Sequence, residues 1–189
     1  MPIRYTVPFF SQYSDIKSHL WQYRGCGVIA LKMILEYWHR SDESLASPEI
    51  EELLKTGLDI GAYIENIGWS HPGLVEMARQ FGYEGYNKDL AHIPPQEAWE
   101  ELVEDLKRYP VMASVYKGLN PETKSGHVVV ISGLDGPNIY INDPLEGSEE
   151  RGKQIIPVEK FLAGWKQRYI AIRPLLRSPV QGEEGKVRE

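Results

Sequence analysis

Through the first half of the chain, apolar positions recur at helical spacing. From Cys26 to about His39, Val28, Leu31, Leu35 and Trp38 make one stripe, and Ile29, Met33 and Ile34 widen it. A helix that is apolar over so much of its surface belongs in an interior. The run SPEIEELLKTG predicts a second helix, with Ser47 as its cap, Pro48 at its first position, two glutamates in its first turn and Gly57 at its end. GLDIGAYIENIGW has three glycines and little period, so it predicts a loop. SHPGLVEMARQFG predicts a third helix between a Ser70 cap and Gly82. PPQEAWEELVEDLKRY predicts a fourth, with acids early and Lys107 and Arg108 late, as the helix dipole prefers.

The period then changes. YPVMASVYKG, GHVVVISGLDG, NIYINDP and RYIAIRP are β-branched and aromatic runs bounded by turn residues, and each predicts a strand. PVEKFLAGW predicts a short helix among them. Near the N-terminus, RYTVPFFSQ predicts a short strand that ends in a loop running to Trp21. No repeat and no internal linker breaks the chain. The expected architecture is one α+β domain over residues 1–176, a helical half followed by an antiparallel sheet. From Arg177 the tail RSPVQGEEGKVRE is charged, has little to bury and is expected to be mobile.

Composition narrows the function. A formal net charge of −6 argues against a nucleic-acid surface and against a polybasic membrane patch. The single cysteine excludes an internal disulfide and a cysteine-based zinc site, and no metal or cofactor is expected. MPIRYTVPFF lacks the pattern of a signal peptide, and no window reaches 18 apolar residues. The default location is therefore the cytoplasm. The 11 tyrosines and 5 tryptophans suit a peptide-facing groove, and equally a stiff core.

The one cysteine stands at the mouth of the most apolar helix. A thiol is a nucleophile only as thiolate, and the unpaired amides of a helix N-terminus favour that anion. Gly25 and Gly27 leave room beside the sulfur for a substrate backbone. The plainer reading of Cys26 is a buried small hydrophobe. A thiolate needs a base. Of five histidines, His19, His39, His71 and His92 lie in polar loops or at helix ends, where solvation accounts for them. His127 instead follows Ser125–Gly126 and opens the apolar run HVVVISGL. Asp143 closes the next strand at IYINDP and can orient the imidazole, although an Asp-Pro turn is common without catalysis. Parity tests the pair. A two- or four-residue loop at DGPN sets Asp143 opposite Val130, on the wrong face, whereas a three- or five-residue loop sets it opposite Val129, on the face of His127, so an odd loop or a bulge is expected in the 134–139 turn. Two glutamines, Gln12 and Gln22, precede the cysteine, and either amide could serve as an oxyanion donor. Gln12 ends an apolar strand that can be pinned against the helix. Gln22 lies in a polar connector, where its side chain can turn to water.

The stretches VPFFSQ, CGVIALKMILEYW, GHVVVISGLDG and IYINDPLEG, in that order, resemble the C39-like cysteine peptidases of the papain-like superfamily. The resemblance runs from about Val7 to Gly147, and the sheet run to about Ile172 is compatible with it. It implies a papain-like fold, with Cys26 as nucleophile, His127 as general base, Asp143 as its orienter and Gln12 in the oxyanion hole. It also implies a peptide or protein substrate. The sequence departs from the family where Val28–Ile29 replace a small residue and proline after Cys-Gly. The gap from Gln12 to Cys26 suits stand-alone members better than transporter-linked ones. Three activities fit these residues: peptide hydrolysis through a thioester, acyl transfer to another acceptor, and peptide binding without catalysis.

Overall fold

The computed structural model describes residues 1–175, so the tail from Arg177 lies outside the described residues. Strand β1 (Ile3–Arg4) leads to the short helix α1 (His19–Gln22) and then to α2 (Cys26–Ser41) and α3 (Ile50–Asp59). A hairpin of β2 (Tyr63–Ile64) and β3 (Gly68–Trp69) precedes α4 (His71–Gln80) and β4 (Tyr83–Asp89). After α5 (Pro95–Leu106) come β5 (Val111–Tyr116), β6 (Gly126–Asp135) and β7 (Asn138–Asn142). The chain closes with α6 (Glu149–Gly152), β8 (Lys153–Pro157), α7 (Val158–Gly164) and β9 (Trp165–Pro174). The main sheet is antiparallel, in the order β4-β9-β5-β6-β7-β8, with β1 added alongside β6.

The sheet is covered on both faces, which explains why its central strand reads as one continuous apolar run. Val128 and Val130 of β6 pack with Met112, Ile170 and the buried residues of α2, α3 and α4. Val129 and Ile131, one step out of phase, pack with Ala98, Leu102 and Leu106 of α5 and Phe161 of α7. Helix α2 is buried without interruption from Gly27 to Leu35, as its all-round apolar pattern requires. No helix among the described residues is long and apolar enough to cross a membrane.

Several boundaries differ from expectation. Helix α3 starts at Ile50 with Glu49 at its cap. Ser47 is engaged elsewhere: its hydroxyl donates to Glu36 Oε2 (2.5 Å) and accepts from Lys32 Nζ (2.8 Å). Gly57 lies inside α3, because the Trp69 ring and Met77 sulfur fill the place of its side chain. Ser70 does cap α4, accepting from the Gly73 amide. The expected loop at 57–69 contains the β2–β3 hairpin. The N-terminal strand is two residues long and not the whole RYTVPFF run. Strands β4 and β8 were not expected from YEGYNKD and KQIIP. Both are edge strands, where polar and charged residues are tolerated and apolar alternation is not needed.

Candidate active site

The site forms where the start of α2 meets the ends of β6 and β7. The turn before Cys26 is fixed by the Trp69 indole, which donates to the Arg24 carbonyl (2.8 Å). Trp69 stacks edgewise on Tyr63, which in turn meets Trp21, so α1 and the hairpin form one aromatic wall. The glycines beside the sulfur serve this packing. A Cβ at Gly25 would stand 2.1 Å from Ile16 Cδ1, and one at Gly27 would stand 3.0 Å from Trp69 Cβ. The expectation that they make room for a substrate backbone is therefore corrected: the protein's own side chains occupy that room.

His127 opens β6 opposite Val115 and is 5% exposed. Its Nε2 lies 2.6 Å from Asp143 Oδ1. The turn that brings them together is an even one, the two residues Gly136 and Pro137 between the paired Asp135 and Asn138, with Gly136 at φ 56. The irregularity expected in the 134–139 turn is therefore not there; parity is restored upstream, within the strand. Gly133 pairs with Tyr140 and Ile131 with Ile141, leaving Ser132 as a bulge, and the register then sets Asp143 opposite Val129. The bulge is held from outside the hairpin, since the Tyr5 amide donates to the Ser132 carbonyl (2.8 Å). Asp143 Oδ1 also accepts from the Leu145 amide (2.9 Å), so its turn role and its imidazole contact coexist.

With Nε2 committed to Asp143, the remaining nitrogen of the imidazole is the one available to the Cys26 thiol. Burial pushes that thiol up, but the His127 ring and the amides of Val128 and Gly27 overcome it and hold the pKa below the usual thiol value. Burial likewise lowers His127, and the contacts with Asp143 and Cys26 overturn this, raising it to about 10. Both shifts favour a thiolate–imidazolium pair at neutral pH.

Gln12 is 3% exposed. Its backbone amide donates to the Pro144 carbonyl (2.9 Å), tying its loop to the Asp143 corner, while Asn142 Nδ2 reaches the carbonyls of Val7 and Pro8 (both 3.3 Å). Gln12 Nε2 donates to the Gln22 carbonyl (2.6 Å), and Oε1 is the buried side-chain atom without a partner among the described residues. The Gln22 side chain is engaged within its own loop, with Nε2 donating to the Ile16 carbonyl (2.8 Å) and Oε1 lying 3.2 Å from His19 Nδ1. It does not turn to water, as the polar connector suggested.

A cleft of about 560 Å³ opens over Cys26 and His127. Trp69, His71, Ser114, Lys166 and Arg168 also line it. Solvation alone does not account for His71. In the structure it is half-buried, and desolvation and the Arg168 charge lower its pKa. No pattern in the sequence marks Lys166 or Arg168, because their approach to the cleft depends on an irregularity in β9 that hydropathy does not encode.

A model of the peptidase C39-like family matches residues 4–171. A search among curated proteins found no significant match. Among solved structures, a C39-like peptidase from Bacillus anthracis superposes with a TM-score of 0.62 at 18% identity, covering 94% of this chain and 99% of its own. The double-glycine-motif protease of an AMS/PCAT transporter, in complex with a leader peptide, superposes at 0.59 with 21% identity, covering 92% of this chain and 98% of its own. The peptidase domain of the Streptococcus ABC transporter ComA gives 0.59 at 19% identity, covering 81% and 93%. At these identities the likenesses establish the fold.

Proposed function

This chain belongs to the C39-like peptidase family, and from that premise we propose that it hydrolyses peptide bonds through a thioester on Cys26. The observation that carries the proposal is the contact chain Cys26–His127–Asp143 at the floor of an open cleft. The thiolate adds to the scissile carbonyl carbon. The oxyanion that forms is met by the Cys26 backbone amide and by the second N–H of Gln12 Nε2, the first being held by Gln22. As the C–N bond breaks, the His127 imidazolium gives its proton to the departing amine. Water then attacks the thioester, the neutral imidazole takes its proton, and the carboxylic acid leaves as the thiolate returns. Asp143 holds the ring and stabilises its charged form throughout.

A relative was solved with a leader peptide in place, which supports a peptide substrate here as well. The test is digestion of a peptide library by the wild type and by Cys26→Ala. Cleavage products with the wild type alone support the proposal. Products with neither enzyme, or equally with both, overturn it.

A further inference from the structure

The cleft holds a cation that thioester chemistry does not use. Ser114 of β5 pairs with Arg168 of β9, but its neighbour Val115 pairs with Trp165, so Lys166 and Gln167 bulge out of the ladder together. Gln167 turns the chain at φ 53, in the left-handed region that disfavours a residue with a side chain. It is held there on both sides. Its amide donates to the carbonyls of Leu90 (3.3 Å) and Ile93 (3.2 Å), and its own carbonyl accepts from the Leu90 amide (2.8 Å). A bulge beside an active site re-aims a neighbouring side chain. Here that side chain is Lys166, which lines the cleft with Cys26 and His127. Its Nζ lies 3.5 Å from where a Cβ on Gly126 would stand, one residue before His127, and 5.2 Å from the centre of the Tyr116 ring.

The surrounding charges single Lys166 out. Arg168 is bonded to Asp89 (2.8 Å), and Arg24 faces Glu65 (3.5 Å). Among the described residues, Asp89 is the only carboxylate lining the cleft, and Arg168 already holds it. Lys166 has no ion-pair partner among the described residues. A chain with a net charge of −6 carries no general excess of cations to explain this. An ammonium aimed into a cleft without a counter-ion is suited to one that arrives with the ligand.

We propose that Lys166 is a specificity determinant that binds a carboxylate of the substrate, either an Asp or Glu side chain or a free C-terminus, in the cleft it shares with Cys26 and His127. This rests on the peptidase reading, and the test separates the two. In a peptide-library digest, wild-type cleavage sites carry Asp or Glu at one fixed position, or lie at one fixed distance from a free C-terminus. Lys166→Arg keeps that enrichment, and Lys166→Glu abolishes it. C-terminally amidated peptides distinguish a side-chain carboxylate from a chain terminus, because only the terminus loses recognition. A second readout needs no peptidase activity: the ratio of Cys26 alkylation rates by iodoacetate and by the neutral iodoacetamide. Removal of one nearby charge in Lys166→Gln lowers this ratio roughly 3- to 10-fold, Lys166→Glu lowers it further, and Lys166→Arg preserves it. A ratio that does not move in Lys166→Glu overturns the carboxylate site, as does library cleavage that shows neither an acidic preference nor a fixed distance from a free C-terminus. A ratio that falls while the wild type cleaves nothing leaves the carboxylate site standing and overturns the peptidase reading.

Discussion

Replacing Asp143 with asparagine removes a charge and keeps a shape. Asp143 Oδ1 accepts from His127 (2.6 Å) and from the Leu145 amide (2.9 Å), and an asparagine oxygen can do both, whereas alanine can do neither. Burial by itself lowers His127, so its rise from 6.5 to about 10 must come from the Asp143 and Cys26 contacts against that opposition. A charge-assisted hydrogen bond is about twice as strong as a neutral one, so loss of the aspartate charge is expected to cost about 1–2 pKa units, or roughly 1.4–2.7 kcal/mol. In the proposed mechanism the imidazolium protonates the leaving amine, so its loss is expected to set the alkaline limb of turnover. In Asp143→Asn this limb of kcat/KM moves down by that amount, while activity at neutral pH stays within about tenfold of wild type. In Asp143→Ala the burial effect is opposed by the Cys26 contact alone. The imidazolium is then less favoured, the ring loses its orienting contact, and turnover is expected to fall about 10²–10⁴-fold. The stability sign follows from the same shift. The folded pKa lies above the unfolded one, so the pair's stabilisation is full below about 6.5 and is lost as pH rises through about 10. The melting temperatures of wild type and Asp143→Asn should therefore converge across that window. An alkaline limb unmoved in Asp143→Asn, or an alanine variant that matches it, would refute the orienting role.

Three further outcomes are expected. Gln12→Ala should lower kcat about 10²–10³-fold with Cys26 alkylation near wild type, and Gln22→Ala should change turnover little; the reverse pattern would move the oxyanion donor to Gln22. Glu36 is driven up by burial, but Ser47, Lys32 and Arg40 hold it at about 2, so its contribution of about 2–3 kcal/mol is present above pH 4.5 and lost as pH falls through 2. Acid titration of Glu36→Gln, followed by circular dichroism, should therefore show a smaller loss of stability in that window than wild type. Gly57→Ala gains about 1 kcal/mol of helix propensity, but its Cβ would stand 2.5 Å from the Trp69 ring and 2.8 Å from Met77 sulfur. Overpacking of about 1–3 kcal/mol should win, and a raised melting temperature would contradict that packing.

What could be read in the sequence was whatever has a strong period or a chemical requirement. Helix α2 has both an all-round apolar surface and a thiol at its first residue. Helix α4 has its Ser70 cap and Gly82 stop, and both are present as expected. Strands β4 and β8 were not legible because edge strands need no apolar face, and Ser47 misled because its hydroxyl serves Lys32 and Glu36 in place of a helix end. Lys166 was invisible for a different reason. A lysine in a mixed run looks solvated until a two-residue bulge turns it inward, and nothing in KQRYIAIRP marks where that bulge falls.

The register of β6 shows where chemistry can inform a reading that hydropathy cannot. A slip of one residue normally exposes an apolar face, and that penalty writes the register into the sequence. GHVVVISGL is apolar on both faces because helices cover both, so a slip would carry no such signature. The turn adds no help, since Gly136–Pro137 is a regular two-residue loop that by parity alone separates His127 from Asp143. Only the requirement that an imidazole and a carboxylate share a face demanded an extra residue between them, and it was expected in the 134–139 turn. The protein supplies it at Ser132, inside the strand and away from the turn, where the backbone of Tyr5 can hold the displaced carbonyl. The N-terminal strand thus has a task beyond covering an edge: it fixes the one irregularity that brings His127 and Asp143 to 2.6 Å.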